Sequence, residues 1–201
     1  MRNLIVIITL ILPTLICGQT LNDFVNLDSM NINLINSELY NKISETRKTL
    51  GFEQINKDSV PIYAAKYHLT YFKQHKDLSE IHDQYKFVES DLYVRGYSVT
   101  SSIQTPVERL DAAERYIKYP GVWMEENSYH LIEEKSFSYK LNKNELITYK
   151  DLIDNIFADL SGTKLLSVVS DETNFFGLWN ESLKDDNDDF IFAFTYVLTK
   201  K

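Results

Sequence analysis

At residues 190–198 the chain reads Phe190-Ile191-Phe192-Ala193-Phe194-Thr195-Tyr196-Val197-Leu198, and only Thr195 interrupts its apolar and aromatic side chains. Successive side chains of a β-strand point to opposite faces of the sheet, so a strand here has two apolar faces. Such strands are typical of a sheet that is covered on both sides. The segment therefore predicts a central strand between two helical layers.

Helical periodicity earlier in the chain predicts two of the helices that could cover this strand. Apolar residues recur every three or four positions over residues 33–50, and Gly51 follows where a left-handed residue can end a helix. A second helix is predicted to begin near Ser59, with Pro61 in its first turn, and to end near Lys76.

Two capping boxes predict the starts of two more helices. Thr105 is followed three residues later by Glu108, and Thr148 is followed in the same way by Asp151. In such a box the hydroxyl and the carboxylate satisfy main-chain N–H groups that the first turn of a helix leaves without partners.

The remaining patterns predict two more strands and a hairpin. The predicted strands are 122 to about 132, 175–179 and 190–198, and residues 179–190 are predicted to form the loop of an antiparallel hairpin. These patterns alone predict an α+β domain.

Residues 1–18 carry the pattern of a secretory signal peptide. A positive charge precedes the mostly apolar run Leu4–Ile16, and Gly18 is a small residue suited to cleavage. After this signal peptide we expect a loosely ordered lead-in at residues 19–32 and a single domain at residues 33–201. The protein is therefore expected to be secreted or held in the cell envelope.

Two other interpretations of the N-terminus stay open. The apolar run could be a short retained anchor, although it is shorter than the about 20 residues that cross a bilayer. Alternatively, Cys17 could become the lipidated first residue of a bacterial lipoprotein, although Ile16 precedes it where such sites resemble Gly, Ala or Ser. We expect contact with a membrane only if Cys17 is lipidated.

The composition indicates how the fold is stabilised and which kinds of partner are disfavoured. Cys17 is the only cysteine, so a chain cleaved after Gly18 has no disulfide and must be stabilised by packing. Without Arg2 the chain carries 20 Lys and Arg against 29 Asp and Glu, a net charge of −9. This charge disfavours nucleic acids and anionic membranes as partners. We expect a monomer.

A series of short signals runs along the chain in a distinctive order. The signals are Arg47, Leu50-Gly51, Ala64-Ala65, Ile81-His82, Pro106 to Arg109, Glu126-Asn127, Ser161, Phe176-Gly177 and Phe190 to Leu198. In this order and spacing they resemble the CAP superfamily (cysteine-rich secretory proteins, antigen 5, pathogenesis-related proteins), especially its compact bacterial SCP-like branch, over roughly residues 33–201. The resemblance implies an α-β-α sandwich with a three-stranded antiparallel sheet between helical layers.

The resemblance also implies a polar cleft that can hold a divalent cation. By motif, His82 and Glu126 match the cleft His and Glu of the family, and Asn127 follows Glu126. Lys164 stands where the bacterial pattern has a second His, and an ammonium would repel a cation. We therefore expect no metal and no cofactor; zinc or another divalent cation at His82 and Glu126 is the alternative. Glu126 could instead pair with Lys164 or His82 across the cleft.

The positions of four more side chains in the sequence predict roles for them. By the alternation of a strand, His130 shares a face with Glu126 and could reach the rim of the cleft. We interpret His68 as a half-buried packing residue and Arg109 as a structural ion-pairing or capping residue. Ser161 could pair with His82 in a hydrolase.

These observations favour a non-enzymatic binding module that acts through its central cleft on a lipid, glycan or protein ligand. The alternative is a hydrolase, such as a peptidase, with His82, Glu126 and Ser161 as the candidate catalytic residues. The chain contains no Gly-x-Ser-x-Gly turn and no His-Glu-x-x-His motif. The acidic run 185–189 lacks the glycine and the final glutamate of an EF-hand loop, so we interpret it as a solvated turn.

Overall fold

The computed structural model describes residues 19–76, 105–118, 128–142, 145–162, 175–185 and 189–201. These residues form an α+β fold. The helices are α1 (Ile32–Thr49), α2 (Ser59–His75), α3 (Pro106–Lys118) and α4 (Tyr149–Gly162). The strands are β1 (Asn56–Lys57), β2 (His130–Leu141), β3 (Phe175–Lys184) and β4 (Phe190–Lys200). None of these helices is long and apolar enough to cross a membrane.

The strands form one mixed sheet in the order β1-β3-β4-β2. β4 is antiparallel to both of its neighbours, whereas β1 is parallel to β3. The prediction of an α+β fold is confirmed, but the prediction of a three-stranded antiparallel sheet is wrong, because β1 adds a parallel strand at one edge. β1 contains only Asn56 and Lys57, so it is too short to produce an alternating pattern in the sequence.

Helices cover β4 on both faces, as its sequence predicts. On one face Phe192, Phe194 and Tyr196 are fully buried in a core that α1 and α4 also supply. On the other face Val197 packs with residues of α2 and α3, and Ala193 packs with residues of α2. Because burial of one Phe side chain contributes about 1.5–3 kcal/mol, β4 is a major source of stability.

The first predicted capping box is complete, and the second is present in part. The Glu108 N–H donates to Thr105 Oγ1 (3.2 Å), and the Thr105 N–H donates to Glu108 Oε2 (2.9 Å). At the start of α4 the Asp151 N–H donates to Thr148 Oγ1 (3.1 Å). The sequence therefore predicts the starts of α3 and α4 correctly.

The ends of α1 and α2 also follow from single residues. Gly51, at φ 83°, follows α1 in the left-handed conformation that glycine adopts without strain. α2 begins where the Val60 N–H donates to Asp58 Oδ1 (2.9 Å) and ends at Lys76, whose φ is 54°.

β2 extends further than predicted. Of the predicted strand 122–132, residues 122–127 lie outside the described residues. β2 continues to Leu141 through the charged residues Glu133, Glu134 and Lys135. These charges conceal the strand in the sequence, because β2 lies at the edge of the described sheet and most of its side chains are only partly buried.

The β3–β4 hairpin has a shorter loop than predicted, because β3 extends to Lys184 instead of ending near Trp179. At the two ends of the loop, Lys140 Nζ of β2 contacts Asp185 Oδ2 (2.7 Å) and Asp189 Oδ2 (3.0 Å). Both described ends of the acidic run are therefore ion-paired with one lysine.

Residues of the lead-in form hydrogen bonds with the start of α4 and the residues before it. The Val25 N–H donates to the Ile147 carbonyl, and the Lys150 N–H donates to the Leu21 carbonyl, both at 2.8 Å. The first N–H groups of a helix have no partners within the helix, so the lead-in satisfies this need at the start of α4. The predicted signal peptide lies outside the described residues.

α2 lies in close contact with the sheet at Gly177 of β3. A Cβ atom built on Gly177 would overlap main-chain atoms of Pro61 and Ile62. A residue without a side chain is therefore needed at this position for α2 to pack on β3.

Candidate functional site

Glu134 of β2 lies at the centre of a buried charged cluster. Its Oε1 is 3.1 Å from His68 Nδ1 of α2. Arg109 of α3 donates from Nε to Glu134 Oε2 (3.3 Å) and from Nη2 to Oε1. The side chains of His68 and Arg109 are 0% exposed, and that of Glu134 is 1% exposed. One carboxylate therefore connects α2, α3 and β2.

The surroundings of Glu134 keep its carboxyl group ionised. Burial alone would raise the pKa of Glu134, but the hydrogen bond with His68 and the charge of Arg109 outweigh burial and hold this pKa below its usual value. The cluster confirms the structural interpretation of Arg109. The interpretation of His68 as half-buried is wrong, because its imidazole is fully buried against Glu134.

Glu114 of α3 is a second buried carboxylate that binds the start of β2. It accepts from the Ser128 N–H (2.9 Å), from the Ser128 hydroxyl and, at 3.4 Å, from the Tyr129 N–H. Glu114 itself is 0% exposed. These bonds fix the main chain just before His130, the first residue of β2.

Tyr129 occupies a charged corner between α2, α3 and the end of β4. Its hydroxyl donates to Asp58 Oδ2 (2.6 Å). Lys118 Nζ lies 4.1 Å and Lys201 Nζ 4.5 Å from the centre of the Tyr129 ring. Burial, together with the hydrogen bond to Asp58, raises the pKa of Tyr129 to about 12. The phenol is therefore neutral at physiological pH.

The structure describes only some of the candidate site residues. His82, Glu126, Asn127 and Lys164 lie outside the described residues, and so does the side chain of Ser161, whose main chain lies in α4. His130 is exposed and pairs in register with Lys200. Since neighbouring side chains of a strand alternate, His130 lies on the opposite face from Tyr129.

The buried carboxylates of Glu114 and Glu134 were not predicted from the sequence. A signal for Glu114 does exist, because the buried positions of α3 are Arg109, Leu110, Ala113 and Glu114, which form one helical stripe. Charged residues on an otherwise apolar stripe indicate buried ion pairs or hydrogen bonds. Within the described ranges, no group of three or more His, Cys, Asp or Glu residues is arranged to hold a metal ion.

No family model matches the chain, and no curated protein sequence matches it either. Solved structures that are similar to it include the following two, each at 15% sequence identity. An outer surface protein from Borrelia burgdorferi matches over 85% of this chain and 97% of its own, with a TM-score of 0.47. The CAP domain of Enterococcal PrgA matches over 89% of this chain and 66% of its own, with a TM-score of 0.39.

The second of these two neighbours is a CAP domain. With both TM-scores below 0.5, neither likeness assigns an activity or a ligand.

Proposed function

We propose that the chain is an exported, CAP-like binding module that holds a ligand in a cleft without transforming it. The proposed contacts with the ligand are His82, Glu126, Asn127, His130 and Lys164. The ligand is a lipid, a glycan or a protein, and a location outside the cell or in its envelope follows from the signal-peptide pattern.

The observation that supports this proposal most is the use of two buried carboxylates as anchors for β2. Glu134 connects β2 to α2 and α3, and Glu114 holds Ser128 and Tyr129. Because Ser128 directly follows Asn127, the Glu114 hydrogen bonds restrain the chain next to the proposed contacts. Main chain that is already fixed beside a binding site loses little conformational entropy when a ligand binds.

The electrostatics of Glu134 favour the anchoring role over acid–base chemistry. A catalytic carboxylic acid works best when its pKa is raised towards the working pH. The pKa of Glu134 is shifted the other way, because His68 and Arg109 stabilise the ionised form. We also propose that the module works without a metal ion, since Lys164 replaces the second His of the bacterial pattern.

A turnover assay with peptide and ester substrates tests this proposal against the hydrolase alternative. A general acid or base contributes about 10²- to 10⁴-fold to the rate, so His82→Ala and Glu126→Gln should remove nearly all activity of a hydrolase. We expect no reproducible hydrolysis by the unmodified protein. In binding screens against lipids and glycans, we expect both substitutions to lower the affinity for whichever ligand is bound.

Lys150→Gln is a suitable control, because Lys150 forms an exposed ion pair with Asp154 on α4. This substitution should alter neither hydrolysis nor binding. Reproducible turnover that is abolished by both His82→Ala and Glu126→Gln, at unchanged melting temperature, would replace the binding proposal with a hydrolase.

A further inference from the structure

We infer that the corner formed by Lys118, Tyr129 and Lys201 binds a dianionic group such as a phosphate monoester. This site is additional to the proposed cleft contacts and does not depend on them. The corner is defined by the end of α3, the residue before β2 and the residue after β4.

Two ammonium groups meet at one aromatic ring in this corner. Lys118 Nζ and Lys201 Nζ lie 4.1 and 4.5 Å from the centre of the Tyr129 ring, and Lys201 Nζ lies 4.9 Å from that of Phe175. The full chain has a net charge of −8, and here two of its ammonium groups lie beside the carboxylates of Asp58 and Glu114. An anion in this corner would therefore meet two cationic groups on a protein whose overall charge is negative.

The nearby carboxylates leave both ammonium groups with unused hydrogen-bonding capacity. Lys118 Nζ is 4.0 Å from Glu114 Oε1, and Lys201 Nζ is 3.9 Å from Asp58 Oδ2. Both distances are too long for hydrogen bonds. Glu114 instead accepts from Ser128 and Tyr129, and Asp58 accepts from Val60 and Tyr129. Each ammonium has three N–H donors and can turn to an added acceptor.

Lys118 and Lys201 place two like charges close together, and an added anion would offset both. Burial, followed by the hydrogen bond and the charge of Lys201, lowers the pKa of Lys118, whereas the hydrogen bond with Tyr129 raises the pKa of Lys201. A dianion between the two groups would stabilise both charges and so raise the pKa of Lys118. A phosphate monoester is close to doubly charged at neutral pH and offers three acceptor oxygens, which match two lysines.

Thr199 of β4 is a buried polar residue close to this corner. Its side chain is buried, and Thr199 Oγ1 has no hydrogen-bond partner within the described part of the chain. Thr199 pairs in register with Phe175, whose ring lies 4.9 Å from Lys201 Nζ. A buried hydroxyl without a partner costs free energy unless an acceptor or donor reaches it, which indicates a place where a ligand oxygen could be accommodated.

Titration of the purified protein with inorganic phosphate at constant ionic strength, followed by NMR signals of Tyr129 and Lys118, tests the site. We expect saturable binding and an increase in the pKa of Lys118. Lys118→Gln and Lys201→Gln should each weaken binding by about tenfold or more, because a charge-assisted hydrogen bond is lost. The controls Lys140→Gln and Lys150→Gln should change the affinity by less than about twofold, because these lysines are exposed and already ion-paired.

The absence of saturable phosphate binding would overturn the inference, and so would equal weakening by the control substitutions. A vesicle assay distinguishes the two sources of the anion. Binding to phosphatidylcholine vesicles that contain phosphatidic acid, lost in Lys118→Gln, would identify a lipid headgroup. Phosphate binding without vesicle binding would identify a soluble phosphate compound. Substitution of His82 or Glu126 should leave phosphate binding at this corner unchanged, whatever it does to turnover or to binding in the cleft. The two proposals can therefore be contradicted independently of each other.

Discussion

Replacing Gly177 by Ala is expected to lower the free energy of unfolding by about 3 kcal/mol. The added methyl group would overlap the main chain of α2 at Pro61 and Ile62. Main chain cannot rotate out of the way as a flexible side chain can, so α2 would have to move away from β3. The loss is a large part of the about 5–15 kcal/mol by which a typical domain is stable.

Urea unfolding followed by circular dichroism measures this effect, and Gly51→Ala provides the matched control. Within the described residues, no atom other than those of Gly51 and its chain neighbours lies within 4 Å of a Cβ built on Gly51, but its φ of 83° is unfavourable for Ala. The control should therefore cost only about 1 kcal/mol, through main-chain conformation alone. If Gly177→Ala lowered the free energy of unfolding no more than Gly51→Ala does, α2 would not pack on β3 as closely as the structure shows.

Replacing Glu134 by Gln is expected to lower the free energy of unfolding by about 3–5 kcal/mol. Gln keeps the shape of the side chain but removes the negative charge, so the buried guanidinium of Arg109 loses its counterion. Asp154→Asn is the matched control, because Asp154 also contacts two lysines, Lys42 and Lys150, each at 2.8 Å, but at the surface. Exposed ion pairs contribute little, so the control should cost less than about 1 kcal/mol.

A double substitution separates the loss of the counterion from a general intolerance of change at Glu134. Glu134→Leu combined with Arg109→Met removes both charges and keeps apolar volume, so it should recover much of the stability that Glu134→Gln loses. Equal losses for Glu134→Gln and Asp154→Asn would show that Glu134 is not a buried anchor.

The sequence was most informative where one residue or a short pattern acts locally. The capping boxes at Thr105 and Thr148 and the glycine at position 51 act on their own helix, and β4 is apolar on both faces whatever surrounds it. β1 and the long course of β2 could not be predicted, because the first is too short for periodicity and the second contains Glu133 and Glu134. Glu134 can be buried only because Arg109 and His68, which are distant in the chain, pair with its carboxylate.

Some residues of the candidate site could likewise be predicted from the sequence, and others could not. Motif order pointed to His82, Glu126 and Lys164, whose positions lie outside the described residues. The corner formed by Lys118, Tyr129 and Lys201 could not be predicted from the sequence. Lys118 and Lys201 are far apart in the chain and come together only when α3 packs on the same side of the sheet as the end of β4. Glu114 is intermediate, because its place on the apolar stripe of α3 was visible but its partners at Ser128 and Tyr129 were not.

We propose that the buried carboxylates of Glu114 and Glu134 anchor β2 and the two residues before it and do not take part in catalysis. A ¹³C NMR titration of the Glu134 side-chain carboxyl in the intact protein tests this claim most directly. Because the folded-state pKa lies below the usual 4.5, the stabilisation from Glu134 is fully present above that pH and is lost as the pH falls through the lower folded value. We expect the Glu134 carboxyl to remain ionised through pH 4.5 and to titrate only below it. A carboxyl that titrates above 4.5, towards the value of about 6–7 that suits a catalytic acid, would contradict it.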